Sequence, residues 1–129
     1  MTNAEILERI TKISDQDTRY RKEAYLFILV ALEYTLSKLD VRRHLTGQEL
    51  SKGIAEFARD QYGLMAKLVL DTWGIRTTLD FGEIVYLLIE HGLLSKTDKD
   101  SKKDFEDVYC FDDEFSDSNY AFPDIPERL

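Results

Sequence analysis

Tyr25-Leu26-Phe27-Ile28-Leu29-Val30-Ala31-Leu32 lies in the longest unbroken apolar run in the chain, which Ala24 opens, and its reading decides the fold. Its eight residues fall far short of the roughly 20 needed to span a bilayer, so no transmembrane helix is expected. From Arg19 to Leu39 neither Gly nor Pro interrupts the sequence around it. A helix that is apolar all round at its centre is buried on most of its surface, which makes residues 19–39 the expected core helix.

On the N-terminal side, Ile6, Leu7, Ile10 and Ile13 recur at helical spacing, so an amphipathic helix is expected from Ala4 to about Ser14, broken by Asp15-Gln16-Asp17-Thr18. On the C-terminal side, Thr46-Gly47-Gln48-Glu49 fits a capping box, in which a hydroxyl and a carboxylate satisfy the free amides of a helix start. The helix it opens should run to Tyr62, with Leu50, Ile54, Phe57 and Ala58 as its buried stripe. Gly63-Leu64 then has the form of a left-handed glycine stop with an apolar follower, and Gly74-Ile75 and Gly92-Leu93 repeat it. Two further helices follow from this punctuation, at about 64–73 and 80–91, the second opened by Asp80-Phe81-Gly82-Glu83 as another capping box. Trp73 is expected inside the core, beside its glycine stop.

Beyond Gly92 the character changes. Leu93-Leu94-Ser95-Lys96-Thr97 and Val108-Tyr109-Cys110-Phe111 flank a charged stretch from Asp98 to Asp104, a pattern that fits a two-stranded hairpin with a long loop. Helices followed by a hairpin resemble a winged helix. The expected fold class is therefore mainly α, with about five helices, a small winged-helix-like C-terminal β-hairpin and an irregular acidic tail. Residues 1–111 would form a single domain, and 112–129 an aromatic, acidic tail packed on that domain or on a partner.

Composition sets the outer limits. The 129 residues suffice for one domain, and 43% hydrophobic with 12% aromatic content supplies core material that a disordered chain lacks. A net charge of −8 argues against non-specific attraction to phosphate backbones or anionic lipid. That charge is concentrated: residues 1–97 hold 14 acidic and 13 basic side chains, residues 98–129 hold 11 and 4. A single cysteine excludes an internal disulfide, and Cys110, between Tyr109 and Phe111, is expected to be buried and structural. Met1-Thr2-Asn3-Ala4-Glu5 lacks a basic n-region followed by an apolar stretch, so the expected compartment is the cytoplasm.

Arg43-His44-Leu45-Thr46-Gly47-Gln48-Glu49-Leu50, Trp73-Gly74-Ile75-Arg76, Asp80-Phe81-Gly82-Glu83-Ile84-Val85, Gly92-Leu93-Leu94, Asp104-Phe105 and Val108-Tyr109 together resemble a family of short, uncharacterised bacterial proteins. The likeness covers most of the chain. It implies a free-standing bacterial protein and, since the family has no assigned activity, cofactor or partner, nothing about mechanism.

The chemistry-bearing residues are sparse. His44 follows a basic pair and His91 ends a helix, where a cation is favoured by roughly 0.3–1 kcal/mol. Neither belongs to an HExxH, paired CxxC or serine-elbow pattern, and the six glycines are dispersed, so no metal, nucleophile or phosphate-cradle motif is spelled out and no cofactor is expected. For a winged-helix nucleic-acid binder, residues 80–91 would read the groove, yet their charges are Asp80, Glu83 and Glu90. Basic side chains cluster elsewhere, at Arg19, Arg21, Lys22 and at Arg42, Arg43, His44.

Six aromatics, Phe105, Tyr109, Phe111, Phe115, Tyr120 and Phe122, stand among acidic residues, either as cover for the helical core or as anchors for a partner. The expected function is a non-enzymatic protein-interaction or regulatory module, with a winged-helix nucleic-acid binder as the alternative and an enzyme with a composite site as the third reading. The expected partner is a protein, met through Phe115, Tyr120, Phe122, Arg42 and Arg43, rather than nucleic acid or membrane. A homo-oligomer is left open.

Overall fold

The computed structural model describes residues 1–116, which form helices joined by turns. Helix α1 (Asn3–Gln16) starts on the Thr2 hydroxyl, which accepts the Glu5 N–H, and buries Ile10 and Ile13. Helix α2 (Lys22–Ser37) carries the apolar run, with Tyr25, Ile28 and Ala31 wholly enclosed. Helix α3 (Gly47–Tyr62) opens on the Thr46–Glu49 capping box and buries Leu50, Ile54, Phe57 and Ala58, the stripe its spacing predicts. After a 3-10 turn at Gly63–Met65 come α4 (Ala66–Thr72) and α5 (Thr78–Glu90). α2 lies against α1, α3 and α5, so the helix that decides the fold is also its centre. No described helix is long and apolar enough to cross a membrane.

All three expected glycine stops have positive φ. Gly74 has most need of glycine: its φ is +94°, and a Cβ there would collide with the Arg19 carbonyl oxygen. Behind it the Ile75 N–H reaches back to the Leu70 carbonyl at 2.9 Å, and Leu93 does the same to Leu88 at 2.9 Å. These six-to-one bonds satisfy carbonyls that a helix end otherwise leaves free. Trp73, half-buried, packs its ring on Phe27 and Tyr62, while its carbonyl accepts the Arg21 N–H at 3.1 Å. That bond ties the end of α4 to the start of α2.

The start of α5 corrects the expected capping box. The box is Thr77 with Asp80, three residues earlier than Asp80 with Glu83, and the Asp80 carboxylate accepts the N–H groups of Arg76 at 2.8 Å and Thr77 at 3.0 Å. Glu83 is released from that role and meets Arg19 and Lys102 instead, both at 3.3 Å.

The larger correction concerns the C-terminal region. Among the described residues there is no β-strand, so the expected hairpin, and with it the wing, is absent. A ladder needs free amides, and here they are engaged locally. The Thr97 N–H goes to the Asp100 carboxylate at 2.7 Å, the Ser101 N–H to the Asp104 carboxylate at 3.2 Å, and the Val108 N–H to the Thr78 hydroxyl at 3.2 Å. Ser101 and Asp104 cap a 3-10 turn at Lys102–Phe105, and a single helical turn, α6 (Phe111–Glu114), follows. The β-forming residues have a different use: Phe105, Phe111 and Phe115 are buried as plugs in the helical core. Cys110, expected inside, is exposed between them.

Candidate functional site

The loop that replaces the hairpin roofs a cleft. Its floor is Leu32 and Leu36 of α2, Leu50 of α3 and Val85, Tyr86 and Ile89 of α5, with Leu94 and Phe105 of the loop completing an apolar wall. The space they leave is about 220 Å3. For comparison, a dry apolar cavity of about 150 Å3 takes up benzene.

Two glycines let the roof come close. A Cβ on Gly82 would meet the Phe105 ring at 2.9 Å, and one on Gly47 would meet Asp104 at 2.8 Å. The buried Thr78 hydroxyl then fixes the loop by donating to the Phe105 carbonyl at 2.6 Å while accepting the Val108 N–H. Tyr109 donates its hydroxyl to the Ser51 carbonyl of α3 at 2.7 Å, and burial pushes its ionisation upward. The same ring therefore stays a neutral donor. The roof is held by interior bonds that leave its outer residues free to form a rim.

That rim is polar. His44 Nε2 lies 2.6 Å from an Asp100 carboxylate oxygen across the mouth, joining the segment before α3 to the roof. Burial acts to raise the Asp100 carboxyl, but the Thr97 N–H and His44 outweigh it, and the net direction is down. Beside them Arg43 grips Glu49 through two hydrogen bonds, at 3.0 and 2.5 Å. The Arg43 guanidinium, with the Thr46 N–H second, holds Glu49 down at about 2.

Tyr86 lines the cleft as well, and its side chain ends in a hydroxyl. It is buried and no described residue bonds to it. Burial raises its ionisation, and the Asp100 and Asp104 carboxylates raise it further. Lys102 stands over the ring at 5.9 Å from its centroid.

Two neighbouring rim hydroxyls are used for capping: Thr46 accepts the Glu49 N–H at 3.1 Å and Ser101 the Lys103 N–H at 3.2 Å. Among the described residues no three His, Cys, Asp or Glu side chains come together to hold a metal ion.

Of the residues expected to meet a partner, Arg43 lines the cleft, and so do His44 and Phe105, which the sequence also singled out. Arg42 pairs with Glu33 of α2 at 2.7 and 3.0 Å on an exposed surface. Phe115 is buried against Phe111, ring centroids 5.3 Å apart, and against Tyr109 at 6.3 Å. Tyr120 and Phe122 lie outside the described residues. Sequence reasoning passed over Tyr86, Asp100 and Asp104. One signal for them was present in Ser101-Lys102-Lys103-Asp104, a capping pattern that announces a helical turn where a loop between strands was read.

A second surface stands apart from the cleft. Leu64, Met65 and Leu68, at the start of α4, are each more than half exposed, whereas Ala66 and Leu70 of the same stretch are fully buried. The chain matches no protein-family model, no curated protein and no solved structure.

Proposed function

We propose that this chain is a non-enzymatic regulatory module of the bacterial cytoplasm whose binding site is the cleft beneath residues 94–105. The observation that carries this reading is the apolar cleft of about 220 Å3 edged by a polar rim. Ligand pockets generally combine apolar walls with a few placed polar groups. A regulatory role fits the roof, which rests on a few hydrogen bonds and the Phe105 plug, so that occupancy of the cleft would bear directly on how the loop sits.

Benzene titrated into 15N-labelled protein tests the reading. The amide resonances of Leu36, Leu50 and Ile89 should shift and saturate. Leu36→Trp, which fills the cleft from α2, should abolish those shifts while the rest of the spectrum stays that of the folded chain. An unchanged spectrum for the parent protein at benzene saturation would overturn the reading.

A protein-docking role draws support from the α4 surface. Three large apolar side chains within five residues, Leu64, Met65 and Leu68, face outward, and methionine-bearing surfaces adapt well to partners. Met65→Glu with Leu68→Glu should leave the fold intact and abolish co-purification of a partner from the native cell. Unchanged recovery of that partner would sink the docking role.

A further inference from the structure

We infer that the cleft takes a small monoanion with an apolar body, an aryl or alkyl carboxylate, whose charge is met at the mouth by the Lys96 ammonium. The inference rests on the reading of the cleft as a ligand site and adds the chemical class of the ligand.

The walls set the body. A cavity of about 150 Å3 accepts a six-carbon ring, so about 220 Å3 leaves room for a ring on a short stem. Leu32, Leu36, Leu50 and Ile89 offer such a body apolar contact.

The ions that line the cleft set the head. Arg43 is engaged with Glu49, His44 with Asp100, and the Asp104 carboxylate with the Ser101 N–H. Lys96, exposed on the loop after α5, lines the same cleft and has neither an ion pair nor a hydrogen bond among the described residues. It is the lining ion left without a partner. An exposed ammonium suits a ligand that buries its body and keeps its charge at the water's edge, because neither ion is then stripped of solvent. Asp100 and Asp104 oppose an anion there, and so does the net charge of −8. Each of those two carboxylates already faces a donor, however, and Lys96 faces no acceptor. A cation would gain from the carboxylates but would meet Lys96 and Arg43 at the same mouth. The free ammonium therefore decides the sign of the preference, and its contribution is small, as for exposed ion pairs generally.

Three probes with one phenylethyl body separate the alternatives on the intact chain: hydrocinnamate, its neutral amide hydrocinnamamide, and phenethylammonium, each titrated by 15N chemical-shift perturbation near neutral pH. Hydrocinnamate should bind roughly two- to fivefold more tightly than the amide, the range of an exposed ion pair, and more tightly than the ammonium. Lys96→Gln, at an exposed position whose side chain bonds to nothing in the fold, should remove the preference for the carboxylate and leave amide affinity unchanged. Lys96→Arg should keep the parent order. Hydrocinnamate no tighter than the amide, a tighter phenethylammonium, or a carboxylate preference that survives in Lys96→Gln would each overturn the ligand class and leave the cleft a binding site. Failure of all three probes to move the resonances of Leu36, Leu50 and Ile89 would overturn the site itself.

Discussion

At the residue scale, three positions convert backbone geometry and charge into measurable stability. Gly63 and Gly74 both have positive φ, +53° and +94°, but only Gly74 faces an obstacle, since nothing lies within 4 Å of a Cβ built on Gly63. Gly63→Ala should therefore lose only the backbone strain of a non-glycine residue held at φ +53° and ψ −131°, about 1–3 kcal/mol. Gly74→Ala should lose more, because the Arg19 carbonyl must shift and the neighbouring Arg21–Trp73 hydrogen bond with it. Urea midpoints check the order, and equal losses would contradict the close approach at Arg19. Glu49 supplies the pH dependence. Its carboxyl is lowered from 4.5 to about 2 in the fold, chiefly by the Arg43 guanidinium. A group with a depressed folded value stabilises the protein above its unfolded value and loses that contribution as pH falls through the folded one. Glu49→Gln keeps an oxygen for the Thr46 N–H and removes the charge, so it should be less stable than the parent near neutrality. The gap should close as pH falls from 4.5 toward about 2. With the Glu49 side chain 37% exposed, solvent screening keeps that gap under about 1 kcal/mol. Urea midpoints measured across this pH range give the comparison; a gap that widens in acid would rule out the depressed carboxyl.

At the scale of elements, what was legible in the sequence was whatever local chemistry and periodicity decide. The apolar centre of α2, the Thr46–Glu49 box of α3 and the stops at Gly74 and Gly92 are each written within a few neighbouring residues, and each stands where it was expected. Residues 93–111 were misread because β-propensity reports a side chain's fit to a half-buried surface, and a helical core supplies such a surface as well as a sheet does. Phe105 shows the difference. It lies in a 3-10 turn that the Ser101–Asp104 box specifies locally, while its burial depends on Gly82 and Gly47, more than 20 residues away in the sequence. No period within the loop reveals that pairing. The cleft was illegible for the same reason, because Leu36, Tyr86 and Asp100 share a site only after four separate segments have packed. Phe105→Ala tests how far the roof depends on its plug. The residue is 5% exposed, and truncating a buried Phe typically costs about 3–5 kcal/mol. Hydrogen exchange should quicken at Thr97, Ser101 and Val108, whose amides hold the loop. Unchanged exchange at all three would mean that the hydrogen bonds fix the roof without the ring.

At the scale of the whole molecule, charge and burial act together against a groove-reading role. The helix that would have entered a major groove, α5, buries Thr78, Phe81, Ile84, Val85 and Leu88, and its Glu83 is already paired with Arg19 and Lys102. A recognition helix must present its side chains to base edges, and this one presents them to the core. The two basic clusters are largely answered within the chain. Arg19 pairs with Asp17, Arg42 with Glu33 and Arg43 with Glu49, so phosphates would have to displace intramolecular carboxylates. Around these pairs the full chain carries −8, with 11 acidic and 4 basic side chains gathered in residues 98–129. Such a field repels a polyanion at the distances over which encounter is steered, about 8–10 Å at physiological salt. Fluorescence anisotropy with labelled duplex DNA at physiological ionic strength should therefore show no sequence-dependent binding at micromolar protein. Lowering the salt should not rescue it, because the net term is repulsive and grows as screening weakens. Sub-micromolar, sequence-selective binding that is lost on changes within residues 78–90 would place α5 on a nucleic-acid surface after all, and would require it to leave the core that α2, α3 and Phe105 now form around it.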